Sequence, residues 1–251
     1  MRIVSKVSLP VTVAAALAVS SLPVRAERFE CLVEPYVEVK LSSAVPGILE
    51  QVTVDRGDFV KKGQVLAVLR SDAEKASLDL SRARAEFAAR KVERNKELYR
   101  KQMISIHERD EMETEAHLLR LEVKEAEERL KLRSIVSPID GVVVKRSYTA
   151  GEYVEELPVL ELAQIDPLRV EAVVPTRFYR KVRVGMTGQV EWESPLGGTN
   201  AATVTIVDPV VDAASGTIGV RLELPNASRR LAAGAKCMVS FPIADDAPAG
   251  R

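Results

Sequence analysis

The side chains that most often perform chemistry in enzymes are scarce in this sequence. It contains two histidines, His107 and His117, and two cysteines, Cys31 and Cys237. The histidines lie in a segment of helical periodicity, where their spacing separates them by about 80° around the helix axis, so they do not converge on one ligand. With so few of these residues, a zinc framework and a disulfide-dense scaffold are both excluded.

Recognised catalytic motifs are also missing from the sequence. There is no nucleophile elbow, phosphate-binding loop or HExxH pattern. The carboxylates are numerous, but most belong to one highly charged helical segment, where they are solvated surface groups. Five methionines, including Met1, form no pairing that suits a soft metal. We therefore expect no enzyme activity, no catalytic residue, and no cofactor or metal site.

Composition restricts the remaining function classes. The 251 residues are 46% hydrophobic and 29% charged, which is typical of folded proteins rather than disordered ones. Lysine and arginine total 36, as do aspartate and glutamate. A nucleic-acid-binding protein would show a basic excess or a basic patch, so this balance argues against that class.

Residues 1–26 have the organisation of a signal peptide. Arg2 and Lys6 precede an almost wholly apolar run, Val7 to Leu22, and Val24-Arg25-Ala26 offers small residues at a cleavage site. The apolar run is shorter than the ~20 residues that a membrane-spanning helix needs. We expect cleavage after Ala26 and export of a soluble chain; retention of the segment as an anchor is the alternative.

A repeat with an offset of 94 residues organises the next part of the chain. Three blocks recur without gaps: Gly47–Leu49 as Gly141–Val143, Gly57–Val60 as Gly151–Val154, and Val65–Val68 as Val159–Leu162. Each copy alternates short apolar strands with turns, in which Gly57 and Gly63 supply positive φ angles. Neither strand group can bury a core alone. We therefore expect residues 42–71 and 134–165 to pack face to face as one sandwich.

Between the copies lies a segment, residues 72–133, that is predicted to be helical. It contains no glycine or proline, and 30 of its 62 residues are charged. Apolar residues recur at the 4-3 spacing of a coiled-coil seam: Ala76, Leu80, Ala83 and Phe87 in the first half, and Met112, Ala116, Leu119, Val123, Ala126 and Leu130 in the second.

Two helix starts indicate that this segment folds back on itself. Ser71 with Glu74, and Ser105 with Glu108, each have the spacing of a capping box. Basic residues cluster before the second start and acidic residues after it: Lys91, Arg94, Lys96, Arg100 and Lys101, then Glu108, Asp110, Glu111, Glu113 and Glu115. An antiparallel hairpin would bring these opposite charges together. A single unbroken helix is the alternative.

The remainder of the chain returns to the two-residue period of β-structure. Five short strands are predicted: Val170–Val174, Gly188–Trp192, Ala202–Val207, Ile218–Leu224 and Cys237–Phe241. Strands at this density favour a small β-barrel over residues 166–243. Residues 27–41 form a separate N-terminal strand segment, and residues 244–251 are expected to be a disordered tail.

The order of these parts resembles the periplasmic adaptor subunits, or membrane fusion proteins of the HlyD-like family, of tripartite efflux pumps. The resemblance rests on Val45–Ile48, Asp55–Leu66 and Ser137–Val143. It implies a mixed α and β, elongated multidomain fold: an antiparallel coiled-coil hairpin inserted in a lipoyl-like barrel-sandwich hybrid, followed by a small β-barrel.

The resemblance also implies a function, partners and a location. Such adaptors link an inner-membrane transporter to a TolC-like outer-membrane channel in the periplasm of Gram-negative bacteria, and they associate into a ring of subunits. We expect an RND transporter as the partner, with an ABC exporter as the alternative, and association with the inner membrane through that partner. Many adaptors have a further membrane-proximal domain, for which the segments flanking the barrel are too short here, so transporter contact would fall to the barrel.

Two sets of residues follow from the same resemblance. Family members carry Arg, Leu and Ser at a fixed spacing at the hairpin tip, and Arg94, Leu98 and Ser105 reproduce it, which makes them the expected contacts with the outer-membrane channel. Adaptor termini run close together beside the barrel and the periplasm is oxidising, so a Cys31–Cys237 disulfide is expected.

A cofactor carrier is the rival interpretation, because lipoyl and biotinyl domains share the half-sandwich repeat. They present a modified lysine in the turn between the halves, near the position of Lys75. The helical segment replaces that turn here, which places Lys75 inside the first turn of a helix and disfavours the carrier.

Overall fold

The computed structural model describes residues 27–193 and 198–243. The predicted signal peptide and C-terminal tail lie outside the described residues. In chain order, the elements of the described part are β1 (Arg28–Leu41), β2 (Gly47–Val52), β3 (Phe59–Val60), β4 (Val65–Leu69), α1 (Asp72–Arg100), α2 (Ile106–Lys131), β5 (Ser134–Val136), β6 (Gly141–Arg146), β7 (Tyr153–Val154), β8 (Leu160–Pro175), β9 (Thr187–Trp192), β10 (Thr199–Val207), β11 (Thr217–Leu224) and β12 (Lys236–Ser240).

The two copies of the repeat exchange strands and form one sandwich. β2 of the first copy pairs with β7 of the second, and β3 of the first pairs with β6 of the second. The hydrogen bonds repeat at the same offset of 94 residues: the Gly57 N–H donates to the Val143 carbonyl at 2.9 Å, and the Gly151 N–H donates to the Leu49 carbonyl at 2.7 Å. This exchange confirms that the strand groups fold together.

Side chains extend the symmetry beyond the predicted blocks. The Ser43 hydroxyl donates to the Val45 carbonyl at 2.5 Å, and the Ser137 hydroxyl donates to the Ile139 carbonyl at 2.6 Å. Ser43 and Ser137 also differ by 94 positions, so the repeat begins earlier than Gly47. Both copies contribute to one buried core: Leu49, Val60, Leu66 and Leu69 with Val143, Val154, Leu160 and Leu162.

A closed six-stranded barrel follows the sandwich. Its strands are ordered β1, β12, β9, β10, β11 and β8, and the ring closes where β8 pairs with β1. Alternation places one face of each strand inside, where Leu168, Val190, Leu222 and Phe241 are fully buried. The predicted barrel is confirmed, and β1 adds to it a strand from the N-terminal segment.

Two long strands connect the barrel with the sandwich. β1 pairs with β8 on both sides of an irregularity between Pro35 and Val37, so its first half belongs to the barrel and its second half to the sandwich. Just beyond the end of β1, the Pro46 carbonyl accepts a hydrogen bond from the Arg133 guanidinium at the base of α2. In the direction in which β1 runs, the parts of the molecule therefore follow one another as barrel, sandwich and helices.

The two helices lie in sequence between β4 and β5, which pair with each other. They run antiparallel, because Arg82 pairs with Glu127 and Lys91 with Glu115. Their lengths of 29 and 26 residues correspond to about 43 and 39 Å. Neither helix in the described part of the chain is both long and apolar enough to cross a membrane.

The contact seam of α2 is as predicted, but that of α1 is not. The six predicted α2 residues, from Met112 to Leu130, are all buried or half-buried. On α1 the predicted stripe is exposed, with Leu80 at 54% and Phe87 at 59%. The actual seam is a second stripe at the same spacing: Leu78, Ser81, Ala85, Ala88, Val92, Asn95 and Tyr99. Its small residues allow the close approach of α2 that Phe87 would prevent.

The prediction of a capping box at the start of α1 is wrong. Ser71 occupies the N-cap position but its side chain makes no capping hydrogen bond. The Glu74 carboxylate instead accepts from the Arg133 guanidinium at 2.5 Å, and both side chains are largely buried. This ion pair ties the first turn of α1 to the end of α2, where the helices join the sandwich.

Candidate functional site: the tip of the helical pair

A tight turn of five residues, 101–105, joins α1 to α2. Gln102 has a positive φ of 59°, and its N–H donates to the Tyr99 carbonyl at 2.9 Å. The Met103 N–H donates to the Leu98 carbonyl at 2.8 Å. These bonds satisfy backbone carbonyls at the end of α1, as a left-handed helix terminus normally does. The reversal is therefore built by the backbone and leaves side chains free to face outward.

Ser105 is held by the capping box predicted at the start of α2. Its hydroxyl accepts from the Glu108 N–H at 3.1 Å, and its own N–H donates to the Glu108 carboxylate at 2.7 Å. The Ser105 hydroxyl also donates to the Glu108 carboxylate at 3.0 Å, and the donation from the Ser105 N–H, followed by that from its hydroxyl, lowers the pKa of Glu108. The stabilisation that this cap provides is therefore fully present at any pH above the ordinary pKa of a glutamate. It is lost as the pH falls through the lowered pKa of Glu108.

The structure distributes the three predicted contact residues around this tip. Leu98 is half-buried and contributes its carbonyl to the turn, whereas Arg94 and Ser105 are exposed. Arg94 lies one helical turn before Leu98 on the same side of α1. Arg94 and Leu98 thus present a mixed basic and apolar surface beside the turn.

Two apolar residues at the tip were missed by the sequence analysis. Met103 is 67% exposed and Ile106 is 60% exposed, on either side of Ser105. Neither residue belongs to a helical seam. An apolar residue that has no place in a seam is the feature by which the sequence could have indicated an exposed position here. Single exposed apolar residues are common, but these two lie together at one projecting end, where they form an exposed apolar patch.

Most of the predicted attraction between the basic and acidic clusters does not occur. Lys91 reaches across to Glu115, but Arg100 pairs with Glu97 inside its own helix. Lys96 likewise pairs with Glu93, and Arg109 with Asp110. Oppositely charged residues within one turn of the same helix are closer than those on the facing helix, so they form the pairs.

Other contacts lock the helices together near the tip. The Arg109 guanidinium of α2 lies 4.6 Å from the centre of the Tyr99 ring of α1. Its hydrogen bond with Asp110 raises the pKa of Arg109, which stays charged. The Asn95 amide approaches the Met112 sulfur at 3.3 Å. The tip is thus a preorganised surface.

The predicted cysteine pair lies in the barrel. Cys31 on β1 is directly opposite Cys237 on β12, and their Sγ atoms are 2.04 Å apart, which is a disulfide bond. Both residues are buried. The bond joins residues 206 positions apart and cross-links two neighbouring strands of the barrel near both ends of the described chain.

Comparison with known families identifies this architecture. A family model described as a CzcB-like barrel-sandwich hybrid domain matches residues 37–163, and one described as a CusB-like β-barrel domain matches residues 167–243. The chain belongs to the membrane fusion protein family. The boundary between the two matched regions falls within β8, the strand that the sandwich and barrel share.

Curated relatives of this membrane fusion protein include proteins of metal resistance and of solvent efflux. It is 28% identical to the nickel-cobalt-cadmium resistance protein NccB of Alcaligenes xylosoxydans, covering 76% of this chain and 55% of that protein. It is 25% identical to the toluene efflux pump periplasmic linker protein TtgA of Pseudomonas putida, covering 79% and 56%. The chain thus spans about half the length of the relatives it matches.

Solved structures show the same fold in other membrane fusion proteins. A MacA–MexA chimera carrying the α-hairpin domain of Pseudomonas aeruginosa MexA superposes with a TM-score of 0.75 and 22% identity, covering 88% of this chain and 82% of that one. The membrane fusion protein Spr0693 of Streptococcus pneumoniae R6 gives a TM-score of 0.69 and 13% identity, covering 86% and 98%.

Proposed function

We propose that this protein is a non-enzymatic periplasmic adaptor, which links an inner-membrane transporter to a TolC-like outer-membrane channel. The observation that carries the proposal is the order barrel, sandwich, helices along β1, which puts two different contact surfaces at separate places on one rigid body. Paired helices transmit position over about 40 Å with few residues. The CusB-like barrel and the names of the efflux and resistance relatives support an RND transporter as the partner.

The tip is proposed as the surface that meets the channel, through Arg94, Leu98 and Ser105. Replacing Arg94 by Asp reverses a charge at this surface, so we expect chemical crosslinking of the adaptor to the channel in cells to fall at least about tenfold. Arg84→Asp is the matched control, because Arg84 is also exposed on α1 but lies far from the turn. Undiminished crosslinking of folded Arg94→Asp protein would remove Arg94 from the contact.

Self-association into a ring is proposed to use the exposed stripe of α1, which comprises Ala76, Leu80, Ala83 and Phe87. α2 also exposes Leu118 and Leu121 on its outer side. α1 carries eight basic and six acidic residues, whereas α2 carries five basic and nine acidic residues. As a whole, α1 therefore has a net positive charge and α2 a net negative charge, so α1 of one copy would attract α2 of the next, and such head-to-tail contacts can close into a ring.

The stripe gives a direct prediction for assembly. Burying a leucine or a phenylalanine contributes about 1.5–3 kcal/mol, so Leu80→Glu with Phe87→Glu is expected to weaken self-association by about 100-fold or more. Analytical ultracentrifugation measures this, and Leu80→Met with Phe87→Leu, which keeps the surface apolar, is the control. An unchanged association constant in the glutamate variant would exclude the stripe as the interface.

The carrier alternative is not supported by the position of Lys75. This residue lies in the first turn of α1, and its N–H donates to the Ser71 carbonyl at 2.9 Å. Carrier domains present their modified lysine in a turn between strands. The adaptor proposal predicts an unmodified Lys75, and a lipoyl or biotinyl mass increment in the intact protein would favour the carrier.

A further inference from the structure

The described chain begins and ends at one end of the barrel, the end away from the sandwich. Arg28 at the start of β1 pairs with Ser240 at the end of β12. The loops 176–186 and 208–216 lie at the same end, since the Thr176 N–H donates to the Gly216 carbonyl at 3.0 Å. We call this surface, formed by residues 27–28, 176–186, 208–216 and 241–243, the distal end of the barrel.

The loop 176–186 at the distal end is strongly basic. It contains four basic residues and no acidic ones: Arg177, Arg180, Lys181 and Arg183. Arg177 lies 3.5 Å from the Glu27 carboxylate, and Lys181 lies over the Phe178 ring. Arg180 and Arg183 are exposed, and no carboxylate of the described residues pairs with them. Two guanidinium groups therefore face solvent from one short loop.

The acidic groups described at the distal end make their contacts with groups other than Arg180 and Arg183, and Glu27 pairs with Arg177. The Asp208 carboxylate lies against Gly219 on the neighbouring strand. Asp212 is directed into its own loop, where it accepts from the Ser215 hydroxyl at 2.7 Å and the Ala214 N–H at 2.9 Å. Asp245 and Asp246 follow in the sequence beyond Ile243.

Exposed apolar side chains accompany the basic residues. Val210 is 76% exposed and Val184 is 65% exposed, and Val211 and Tyr179 are also exposed. They occupy the two loops of the distal end rather than the barrel wall. A basic surface with protruding valines and a tyrosine is the combination with which peripheral proteins bind anionic lipid.

We propose that the distal end of the barrel binds an anionic phospholipid surface. Arg180 and Arg183 contact headgroup phosphates, while Val184, Val210 and Tyr179 enter the interface between headgroups and acyl chains. Charge and protruding apolar side chains together favour a membrane over an acidic protein as the occupant. The loop 176–186 has four basic residues and no acidic one, which suits anionic headgroups, and the exposed Val184 and Val210 suit the apolar layer beneath them.

Vesicle binding of the protein recovered from the periplasm tests the proposal. We expect flotation with vesicles of phosphatidylcholine mixed with phosphatidylglycerol and none with phosphatidylcholine alone. Each basic residue near an anionic surface contributes about fivefold in affinity, so Arg180→Ser with Arg183→Ser should lower the partition coefficient by about 25-fold. Arg84→Ser with Lys101→Ser removes the same charge from the helical part and should leave binding unchanged.

A second variant tests the apolar part. Val184→Ser with Val210→Ser keeps every charge but should also weaken binding to the mixed vesicles, by about tenfold, because two inserted side chains are lost.

Equal binding to both vesicle types would overturn the proposal, as would equal binding of wild type and the arginine variant. No binding to either vesicle would also overturn it and assign the distal end to a protein partner. Channel crosslinking through Arg94 is independent of every one of these outcomes.

Discussion

Replacing Cys31 and Cys237 together by alanine is expected to lower the free energy of unfolding by about 5 kcal/mol. A disulfide that joins residues 206 positions apart restricts the unfolded chain strongly, because the loss of chain entropy grows with the logarithm of the loop length. Urea unfolding of the oxidised protein and of the double variant measures the difference.

Reduction of the wild-type protein provides the control for this prediction. Once reduced, it should unfold at nearly the same urea concentration as the double variant, because both lack the cross-link. The expectation fails if reduction leaves the unfolding midpoint unchanged, or if peptides of unreduced periplasmic protein contain free thiols at Cys31 and Cys237.

Replacing Gly141 by alanine is expected to destabilise the protein by about 3 kcal/mol or more, the upper range for overpacked sites. A Cβ atom at Gly141 would lie 2.4 Å from the backbone carbonyl oxygen of Ala163. Because backbone cannot move aside as a side chain does, β6 and β8 would have to separate. Thermal or urea unfolding of the variant tests this.

The repeat supplies its own control at Gly47, the equivalent residue of the first copy. A Cβ atom there would meet the end of the Arg133 side chain at 2.8 Å and a Leu69 methyl group at 3.0 Å. These side-chain ends can shift more readily than backbone, although the Arg133 guanidinium would have to move relative to the Pro46 carbonyl. Gly47→Ala should therefore cost about 1–2 kcal/mol, less than Gly141→Ala. Equal losses of stability at the two positions would contradict the packing described for the sandwich.

The sequence predicted those parts of the fold in which a residue pattern is compatible with a single arrangement of helices or strands. The glycines and apolar residues of the repeat permit only an arrangement that buries both copies together, and the structure has it. The alternation in the C-terminal third likewise places residues such as Val190 and Leu222 in the barrel core. On α2, one apolar stripe exists at full helical spacing, and it is the seam.

The failures occurred where local patterns were ambiguous or partners were distant. α1 has two stripes at the same spacing, and periodicity does not distinguish Leu80 and Phe87 from Leu78 and Ala88. Glu74 had the spacing of a cap, but its partner Arg133 lies 59 residues away. The role of β1 in both barrel and sandwich depends on pairing with β8 along its length, which no local pattern contains.

The predicted tip residues illustrate the same limit for function. Ser105 was recognisable as a helix cap, and the structure shows that role in full. Its neighbours Met103 and Ile106 became visible as an exposed apolar patch only when the turn placed them at the projecting end of the helical pair. Sequence spacing therefore located the tip, whereas its shape and apolar character required the structure.

Photocrosslinking in intact cells tests the adaptor role most directly. A benzophenone amino acid is placed at Met103 on the tip or at Val210 on the distal end of the barrel, and the adducts are sorted by membrane fraction. We predict that Met103 yields an adduct with an outer-membrane protein, and that Val210 yields adducts only in the inner-membrane fraction. The adaptor role would be contradicted if the adducts from both positions were found in the same membrane fraction, or if Met103 yielded no adduct with an outer-membrane protein.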